Sequence, residues 1–242
     1  MTVTTDILKA TYHRRKIPED IMGRLIVIEG LDGSGKNTQS EKLYKYLSEK
    51  GVKVRKIDFP NYESQSSALV RMYLSGELGS SPDDTNAYAA SVFFACDRYV
   101  SYVTDWKSFL SEDNTVVIAN RYTTANAYHQ LAKMPKENWD SFLEWLWDFE
   151  FSKLGLPEPD TVLCFAVPPE ISERNIEKRC AEKKVEKDIH EADSEYLERC
   201  YEAAKYAADK LGWHMIHCVE NGVQLTIDEI FDTVLEKTGY KR

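Results

Sequence analysis

The stretch LIVIEGLDGSGKNT, residues 25–38, decides the fold of this chain. An apolar run with strand character, residues 25–29, leads directly into the glycine-rich sequence GLDGSGK of residues 30–36. A segment with the apolar spacing of a helix follows. A strand, a glycine-rich turn and a helix in this order are typical of a loop that binds nucleotide phosphates. Glycines let successive backbone N–H groups turn towards one anion, and the start of the helix adds its positive dipole end. The sequence therefore predicts a phosphate loop.

The residue types of this loop predict contacts with the phosphates of a nucleotide. Lys36 supplies a positive charge for the β- and γ-phosphates. The next residue is usually Ser or Thr, whose hydroxyl binds Mg²⁺, but here it is Asn37. An amide oxygen can also bind Mg²⁺, so we predict Asn37 as a ligand, with Thr38 or Asp32 as further oxygen donors. We expect the phosphates of the bound nucleotide to contact Gly30, Gly33, Ser34, Gly35, Lys36, Asn37 and Thr38.

Length and composition limit the class of protein. A chain of 242 residues that is 43% hydrophobic can bury a substantial core, either as one domain with an elaborated lid or as two small domains. Its net charge of −9, spread along the chain, argues against a nucleic-acid surface and a polybasic membrane anchor. No apolar run reaches the roughly 18 residues that a membrane span needs. We therefore expect neither nucleic acid nor a membrane among its partners.

The N-terminus and the cysteines both bear on the compartment in which the protein is found. Residues 1–22 lack the apolar core of a signal peptide and predict a loosely ordered extension, or a start codon assigned too early, with Met22 as the other candidate. The five cysteines show no CxxC pairing, which predicts free thiols and a cytoplasmic protein. We expect residues 23–242 to form one domain with a lid at about 179–193.

Apolar runs alternate with helical patterns along the chain. Strands are predicted at 25–29, 52–59, 115–119, 161–167 and 214–219, and the strand–helix alternation predicts a doubly wound α/β fold: a five-stranded parallel sheet with helices on both faces. Ligands of such sheets bind beyond the carboxyl ends of the strands. We therefore expect functional residues at 30–36, 59–60 and 120–121 and in the loop after residue 167.

A second polar site is indicated by Phe94 and Arg98, which are four residues apart in a helical stretch predicted over 85–110. The ring can stack on a base and the guanidinium can bind its carbonyl groups. The alternative is a buried phenylalanine beside an arginine that pairs with Asp97. Arg121, at the carboxyl end of a strand, suits a phosphate in transfer because arginine binds bidentately and keeps its charge.

A dense charged run occupies residues 174–199. One interpretation is a pair of solvated helices. The other is a mobile basic lid that excludes water from a phosphoryl transfer and adds positive charge to the site. The basic residues of that lid would be Arg179, Lys183, Lys184 and Lys187.

Six motifs together, and in this order, resemble the thymidylate kinase family: GLDGSGKNTQ, FPNY, FFACDRY, NRYTTANAYHQ, PDTVLCFAVPPE and KDIHEADSEYL. The resemblance covers residues 23–239. It implies a three-layer phosphate-loop kinase fold with a helical lid, and transfer of the γ-phosphate of ATP to dTMP, giving dTDP and ADP. It also implies Mg²⁺ and a homodimer.

The resemblance further implies roles for single residues. Phe94 would stack on thymine and Arg98 would bind its edge, while Tyr62 would bind the dTMP phosphate and Arg121 would bridge the two nucleotides. The dTMP-binding set is Asp32, Phe59, Pro60, Tyr62, Phe94, Arg98, Arg121, Asn126, His129, Asp188, His190 and Glu191. The catalytic set is Lys36, Arg121, Asp32 and Arg179, and Asp32 and Asn37 are the Mg²⁺ ligands.

Two departures from the family pattern matter. Asn120 replaces the usual aspartate, and His129 replaces the tyrosine that lies against the sugar, so selection of deoxyribose stays open. Gly33 replaces a basic residue, as in members that take their catalytic arginine from the lid, and Arg179 is then the candidate. Kinases for another nucleoside monophosphate or a deoxynucleoside remain alternatives. A nucleotide-binding protein without catalysis is a further alternative, because the two positions expected at the metal, 37 and 120, both carry amides.

The aromatic-rich stretch 139–154 has two interpretations. It is either a dimer surface or ordinary core, and core is the default for aromatic side chains at helical spacing.

Overall fold

A computed structural model describes residues 23–184 and 186–241, without the side chain of Lys183. The predicted extension 1–22 lies outside the described residues. A parallel five-stranded sheet has the strand order β2-β3-β1-β4-β5. Its strands are β1 (Gly23–Gly30), β2 (Lys53–Asp58), β3 (Thr115–Asn120), β4 (Thr161–Ala166) and β5 (His214–His217). The predicted doubly wound α/β fold is confirmed.

Helices connect the strands and cover both faces of the sheet. They are α1 (Lys36–Glu49), α2 (Ala68–Leu74), α3 (Ala87–Ser101), α4 (Lys107–Leu110), α5 (Thr123–Leu131), α6 (Trp139–Trp147), α7 (Pro169–Lys183), α8 (Ser194–Leu211) and α9 (Ile227–Thr238). Side-chain caps begin several of them: Asn86 accepts a hydrogen bond from the Ala89 N–H at α3, and Asp193 accepts one from the Tyr196 N–H at α8. None of the helices in the described ranges is long and apolar enough to cross a bilayer.

The core has two halves because β1 is apolar on both faces. Leu25 and Val27 belong to a cluster with α5, α6 and α8. Ile26 and Ile28 belong to the other cluster, with α1 and α9. Alternate residues of a strand point to opposite faces, so one short apolar strand supplies both halves of the core. The sheet is thus the middle of three layers.

The register of the sheet sets the position of the functional edge. Asn120 at the end of β3 lies beside Ile28 of β1 on one side and beside Asp58 of β2 on the other. The carboxyl ends of these three strands are therefore level. The phosphate loop and the Phe59-Pro60 segment leave the sheet at the same edge, and the Phe59–Pro60 peptide bond is cis.

The helical predictions hold with two refinements. The stretch 85–110 comprises α3 and α4 joined by a π-helical turn, Tyr102–Trp106, and α6 continues into another π-helical turn, Asp148–Lys153. Trp139, Phe142 and Leu146 of α6 are buried, and Trp145, Trp147 and Phe151 are partly buried against the same core cluster, so much of this stretch contributes to the core.

The end of the chain departs from the prediction. The fifth strand stops at His217, not at residue 219. The next residues form a small antiparallel hairpin, β6 (Val219–Glu220) and β7 (Val223–Gln224), across Asn221 and Gly222. Both turn residues have positive φ, as a two-residue hairpin turn requires.

Candidate active site

A cavity of about 900 Å³ opens at the carboxyl edge of the sheet. The phosphate loop contributes Gly33, Gly35, Lys36 and Asn37 to its wall, whereas Gly30, Ser34 and Thr38 lie outside that wall. All twelve residues predicted to bind dTMP line it: Asp32, Phe59, Pro60, Tyr62, Phe94, Arg98, Arg121, Asn126, His129, Asp188, His190 and Glu191. Segments from six parts of the chain therefore meet in one cavity.

The conformation of the phosphate loop depends on its glycines and on hydrogen bonds from its lysine. Gly33 and Gly35 have φ of 75° and 90°, which only glycine adopts without strain. The Nζ of Lys36 donates to the carbonyls of Gly30 at 2.8 Å and Leu31 at 2.7 Å. Burial and the nearby Arg121 lower the pKa of Lys36 to about 8. The lysine thus remains a cation at neutral pH and lies at the cavity wall.

The same loop is fastened to α7. The Ser172 hydroxyl donates to the carbonyl of Asp32, and the Asn175 amide donates to the carbonyl of Gly33 at 2.8 Å. A Cβ on Gly33 would lie 2.5 Å from the carbonyl oxygen of Ser172. Helix and loop approach so closely that no side chain fits at position 33.

Arg121 and Asp32 form the charged centre of the cavity. The Nη2 of Arg121 donates to both carboxylate oxygens of Asp32 at 2.8 Å. Its Nη1 donates to the Tyr128 hydroxyl at 2.8 Å and lies 2.9 Å from Nε2 of His129. Burial alone would raise the pKa of Asp32, but Arg121 and Lys36 hold it well below its usual range. Burial and the arginine charge keep the pKa of His129 well below its usual value, so its ring is the acceptor.

A buried carboxylate, Glu29, binds three of the groups that surround this charged centre. It accepts hydrogen bonds from the Tyr122 N–H at 3.0 Å, the Thr124 hydroxyl at 2.5 Å and the Tyr128 hydroxyl at 3.0 Å. Burial raises the pKa of Glu29. Sequence reasoning counted Glu29 only as the end of a strand. The available signal was a single carboxylate closing an apolar run.

A second buried carboxylate, Glu150, organises the other end of the cavity. Arg98 is 1% exposed, and its Nε and Nη2 donate to Glu150 at 2.7 and 2.5 Å. The hydroxyl of Thr123 and the amide of Asn126 donate to the same carboxylate at 2.6 and 3.3 Å. Glu150 sits in the π-helical turn after α6, and sequence reasoning missed it, although an acid between two phenylalanines was a visible signal.

The alternative pairing of Arg98 with Asp97 is wrong. Asp97 instead accepts hydrogen bonds from the Asn61 N–H at 2.8 Å and the Ser66 hydroxyl at 2.6 Å. Neighbours in a helix point in directions about 100° apart, so they rarely share a partner. Asp97 thereby positions the segment after β2 that carries Tyr62.

The lid folds over the cavity through the segment between α7 and α8. Asp188 accepts hydrogen bonds from the N–H groups of His190 and Glu191, both at 2.9 Å. The His190 ring lies 2.8 Å from the Tyr73 hydroxyl and stacks on His129 at a centroid distance of 5.1 Å. Burial, with Asp32 nearby, raises the pKa of Asp188 to about 6, and burial lowers that of His190 to about 3. The described part of this segment is thus packed against the cavity wall through His190.

The expectation of a basic lid needs correction. Arg179 lines the cavity and donates to Glu191 at 2.5 Å. Lys184 is exposed, Lys187 pairs with Glu177 at 3.6 Å, and the side chain of Lys183 lies outside the described part of the chain. The lid's other charged residues in the cavity wall are Glu186, Asp188 and Glu191. The charged run at 174–199 is not simply a pair of solvated helices either, since α8 buries Tyr196, Leu197 and Cys200.

The predicted metal side of the site is built of amides. The Nδ2 of Asn120 donates to Oδ1 of Asn37 and to Oδ1 of Asp58. The Oδ1 of Asn120 is buried and has no partner in the described part of the chain. The other predicted ligand, Asp32, already binds Arg121 through both oxygens. Residues 23–184 and 186–241 contain no cluster of three His, Cys, Asp or Glu suited to a metal.

A phosphate loop between β1 and α1, facing a polar pocket under a helical lid, defines a phosphate-loop kinase of the α/β class. The family model for thymidylate kinase matches residues 28–230. The chain belongs to the thymidylate kinase family, whose members are ATP-dependent kinases.

Named relatives agree with the family model. A thymidylate kinase of Mycobacterium tuberculosis is 33% identical over 177 residues, covering 72% of this chain and 81% of the relative. The Caenorhabditis elegans thymidylate kinase is 31% identical over 163 residues, covering 62% and 66%. The human thymidylate kinase is 32% identical over 141 residues, covering 58% and 59%.

Proposed function

We propose that this protein transfers the γ-phosphoryl group of ATP to dTMP, giving dTDP and ADP. One observation carries the proposal: every residue that the family resemblance assigns to dTMP lines the cavity that also contains the phosphate loop. Residues scattered from position 32 to position 191 are brought within a volume suited to two nucleotides.

The base of dTMP binds at the Glu150 end of the cavity. Phe94 is half-buried there and packs edge-on against Tyr73 at 6.2 Å, which leaves a ring available for stacking. Glu150 orients both Arg98 and Asn126 before any ligand arrives. Polar side chains that are fixed in advance recognise a pyrimidine edge at a low entropic cost, because they do not have to be ordered on binding.

The phosphates meet at the centre of the cavity. Lys36, Arg121 and Arg179 lie around it, and the reaction needs alignment and charge neutralisation rather than a covalent intermediate. Burial and the carboxylate of Asp188 raise the pKa of Tyr62 to about 12. Tyr62 therefore keeps its proton and donates a hydrogen bond to the dTMP phosphate, as the family pattern assigns.

A divalent cation fits the amide side of the site. The orphaned Oδ1 of Asn120 and the exposed Asn37 are oxygen donors of the type that Mg²⁺ prefers. Asn37 and Asn120 would hold the ion. When bound, Mg²⁺ neutralises charge on the transferring phosphates.

The decisive experiment measures ADP release from ATP and Mg²⁺ with dTMP, dUMP, UMP, CMP and AMP in turn. We expect fast turnover with dTMP and little with UMP, and a Lys36→Ala protein provides the background rate. Faster turnover with another acceptor would show that a different nucleotide is the substrate, and it would implicate His129 in the altered selectivity. No turnover with any acceptor, in Mg²⁺ or Mn²⁺, would overturn the proposed kinase function and favour binding without catalysis.

A homodimer is proposed from an apolar face of α3. Tyr88, Val92 and Tyr99 on this helix are 46, 36 and 41% exposed, and Val100 and Val103 extend the patch. A contiguous apolar face is costly to leave in water and suits a second copy of the chain. Light scattering should give the mass of a dimer, and Val92→Glu should give a monomer. The exposed Val223→Glu, in the terminal hairpin, is the control.

The cytoplasm is the proposed compartment. All five cysteines are free thiols, and Cys164, Cys200 and Cys218 are buried among apolar residues. A reducing compartment suits a protein whose thiols stay unpaired. Fractionation of expressing cells, followed by immunodetection, tests this location.

A further inference from the structure

Asp58, Asn120 and Asn37 form a polar group at the carboxyl edge of the sheet. Asp58 and Asn120 are register partners at the ends of β2 and β3, and Asn37 is in the first turn of α1. The Asn120 amide nitrogen donates to both neighbours, at 2.9 Å to Oδ1 of Asp58. One donor, Nδ2 of Asn120, thus serves an oxygen atom of each neighbour.

The shared donor fixes the orientation of Asn120. Since Nδ2 is engaged by two acceptors, Oδ1 must point away from both of them. Asn120 is 8% exposed, and this oxygen has no partner within the described ranges. A buried acceptor without a hydrogen bond is costly, because it has lost its bonds to water without gaining others. An acceptor oriented in this way at the wall of a phosphate-binding cavity is suited to a cation.

The two amides bring oxygen atoms but no charge. Asp32, the nearest carboxylate of the phosphate loop, is neutralised by Arg121 through both oxygens. Asp58 is the remaining acid in direct contact with the amide group, and its side chain is about half exposed, with Lys56 3.7 Å away. Hard divalent cations favour sites that combine neutral oxygens with a carboxylate.

We propose that Asp58 is the acidic residue of the metal site in this protein. It orients Oδ1 of Asn120 towards the ion through the Nδ2 contact, and it supplies the negative charge that Asn37 and Asn120 lack. Asp58 is a positioning residue, acting through Asn120. The inference rests on the proposed binding of ATP with a divalent cation.

Metal affinity tests the inference without any turnover. Electron paramagnetic resonance of free Mn²⁺ measures the dissociation constant of Mn²⁺ in the presence of a non-hydrolysable ATP analogue. Asp58→Asn should weaken Mn²⁺ binding about tenfold or more, the scale found for residues that support metal ligands. Affinity for the analogue without metal should stay unchanged, as measured by calorimetry. Glu112→Gln is the matched control, because it removes one exposed carboxylate at the opposite edge of the sheet.

A second variant separates the role of the charge from simple damage. Asn120→Asp in the Asp58→Asn background moves the carboxylate by one strand and should restore Mn²⁺ affinity. Equal Mn²⁺ affinity in the wild type and Asp58→Asn would overturn this inference alone. Absence of Mn²⁺ binding by the wild type in the presence of the analogue would overturn both the inference and the metal part of the proposed function.

Discussion

The two ends of the cavity differ in how completely their hydrogen bonds are made. At the base end, Glu150 is fully buried and binds Arg98, Thr123 and Asn126. At the metal end, Oδ1 of Asn120 has no partner in the described structure, and Asn37 is exposed. A satisfied buried network holds its shape without a ligand, whereas an unsatisfied group gains most when a ligand arrives. The proposed base end is therefore preformed, whereas a bound ligand would complete the hydrogen bonds of the proposed metal end.

The largest expected effect comes from the charged centre between the two ends. Lys36→Ala or Arg121→Ala should lower kcat by about 10³-fold or more, because each removes a cation that neutralises the transferring phosphates. Steady-state ADP release measures the loss. Circular dichroism and a melting curve serve as the check on folding, and near-normal turnover of a folded Arg121→Ala protein would contradict its role.

Matched loss of a carboxylate at each end tests the contrast directly. Glu150→Gln leaves the guanidinium of Arg98 buried without its counter-charge, and we expect the free energy of unfolding to fall by about 3 kcal/mol. Asp58→Asn removes a half-exposed acid and should change it by about 0.5 kcal/mol at most. Urea denaturation measures both. Equal losses would show that the base end is no more preformed than the metal end.

The lid histidine makes stability depend on pH. Burial lowers the pKa of His190 from 6.5 to about 3, so between these values the unfolded chain binds a proton that the folded protein does not. The free energy of unfolding must fall as the pH drops through this window. Replacement by His190→Gln should remove about 2 kcal/mol of the difference between pH 7.5 and pH 5.

Urea titrations at the two pH values give this difference. His217→Gln, at an exposed position in β5, is the control and should leave the pH dependence as in the wild type. An unchanged pH dependence in His190→Gln would mean that the His190 imidazole is not held neutral beneath the lid.

The smallest expected effect lies at the rim of the cavity. Tyr62 is 52% exposed, and its hydroxyl is assigned to the dTMP phosphate. Tyr62→Phe removes one hydrogen bond worth about 1 kcal/mol, so KM for dTMP should rise about fivefold with the melting temperature unchanged. Steady-state kinetics with varied dTMP provide the measurement. A fall in kcat at saturating dTMP, with KM unchanged, would contradict a binding role.

Local patterns sufficed to predict the phosphate loop and the five strands, because each rests on residues that are neighbours in sequence. The twelve positions assigned to dTMP come instead from the family resemblance, and all of them lie in the cavity wall. Contacts between residues that are far apart in sequence could not be predicted from such local patterns. Arg98 and Glu150 are 52 positions apart and meet only through the packing of a π-helical turn against α3. Asp58 gains its neighbour from the sheet register, which no local pattern reveals.

The close contact between Gly33 and α7 restricts how this enzyme could evolve. A side chain at position 33 would collide with the Ser172 carbonyl, on the helix that carries Arg179. An arginine in the phosphate loop would therefore displace the element that brings the lid arginine to the cavity. An arginine at position 33 and Arg179 at the cavity wall therefore exclude each other in this scaffold, so a lineage can exchange one for the other only by changing loop and helix together.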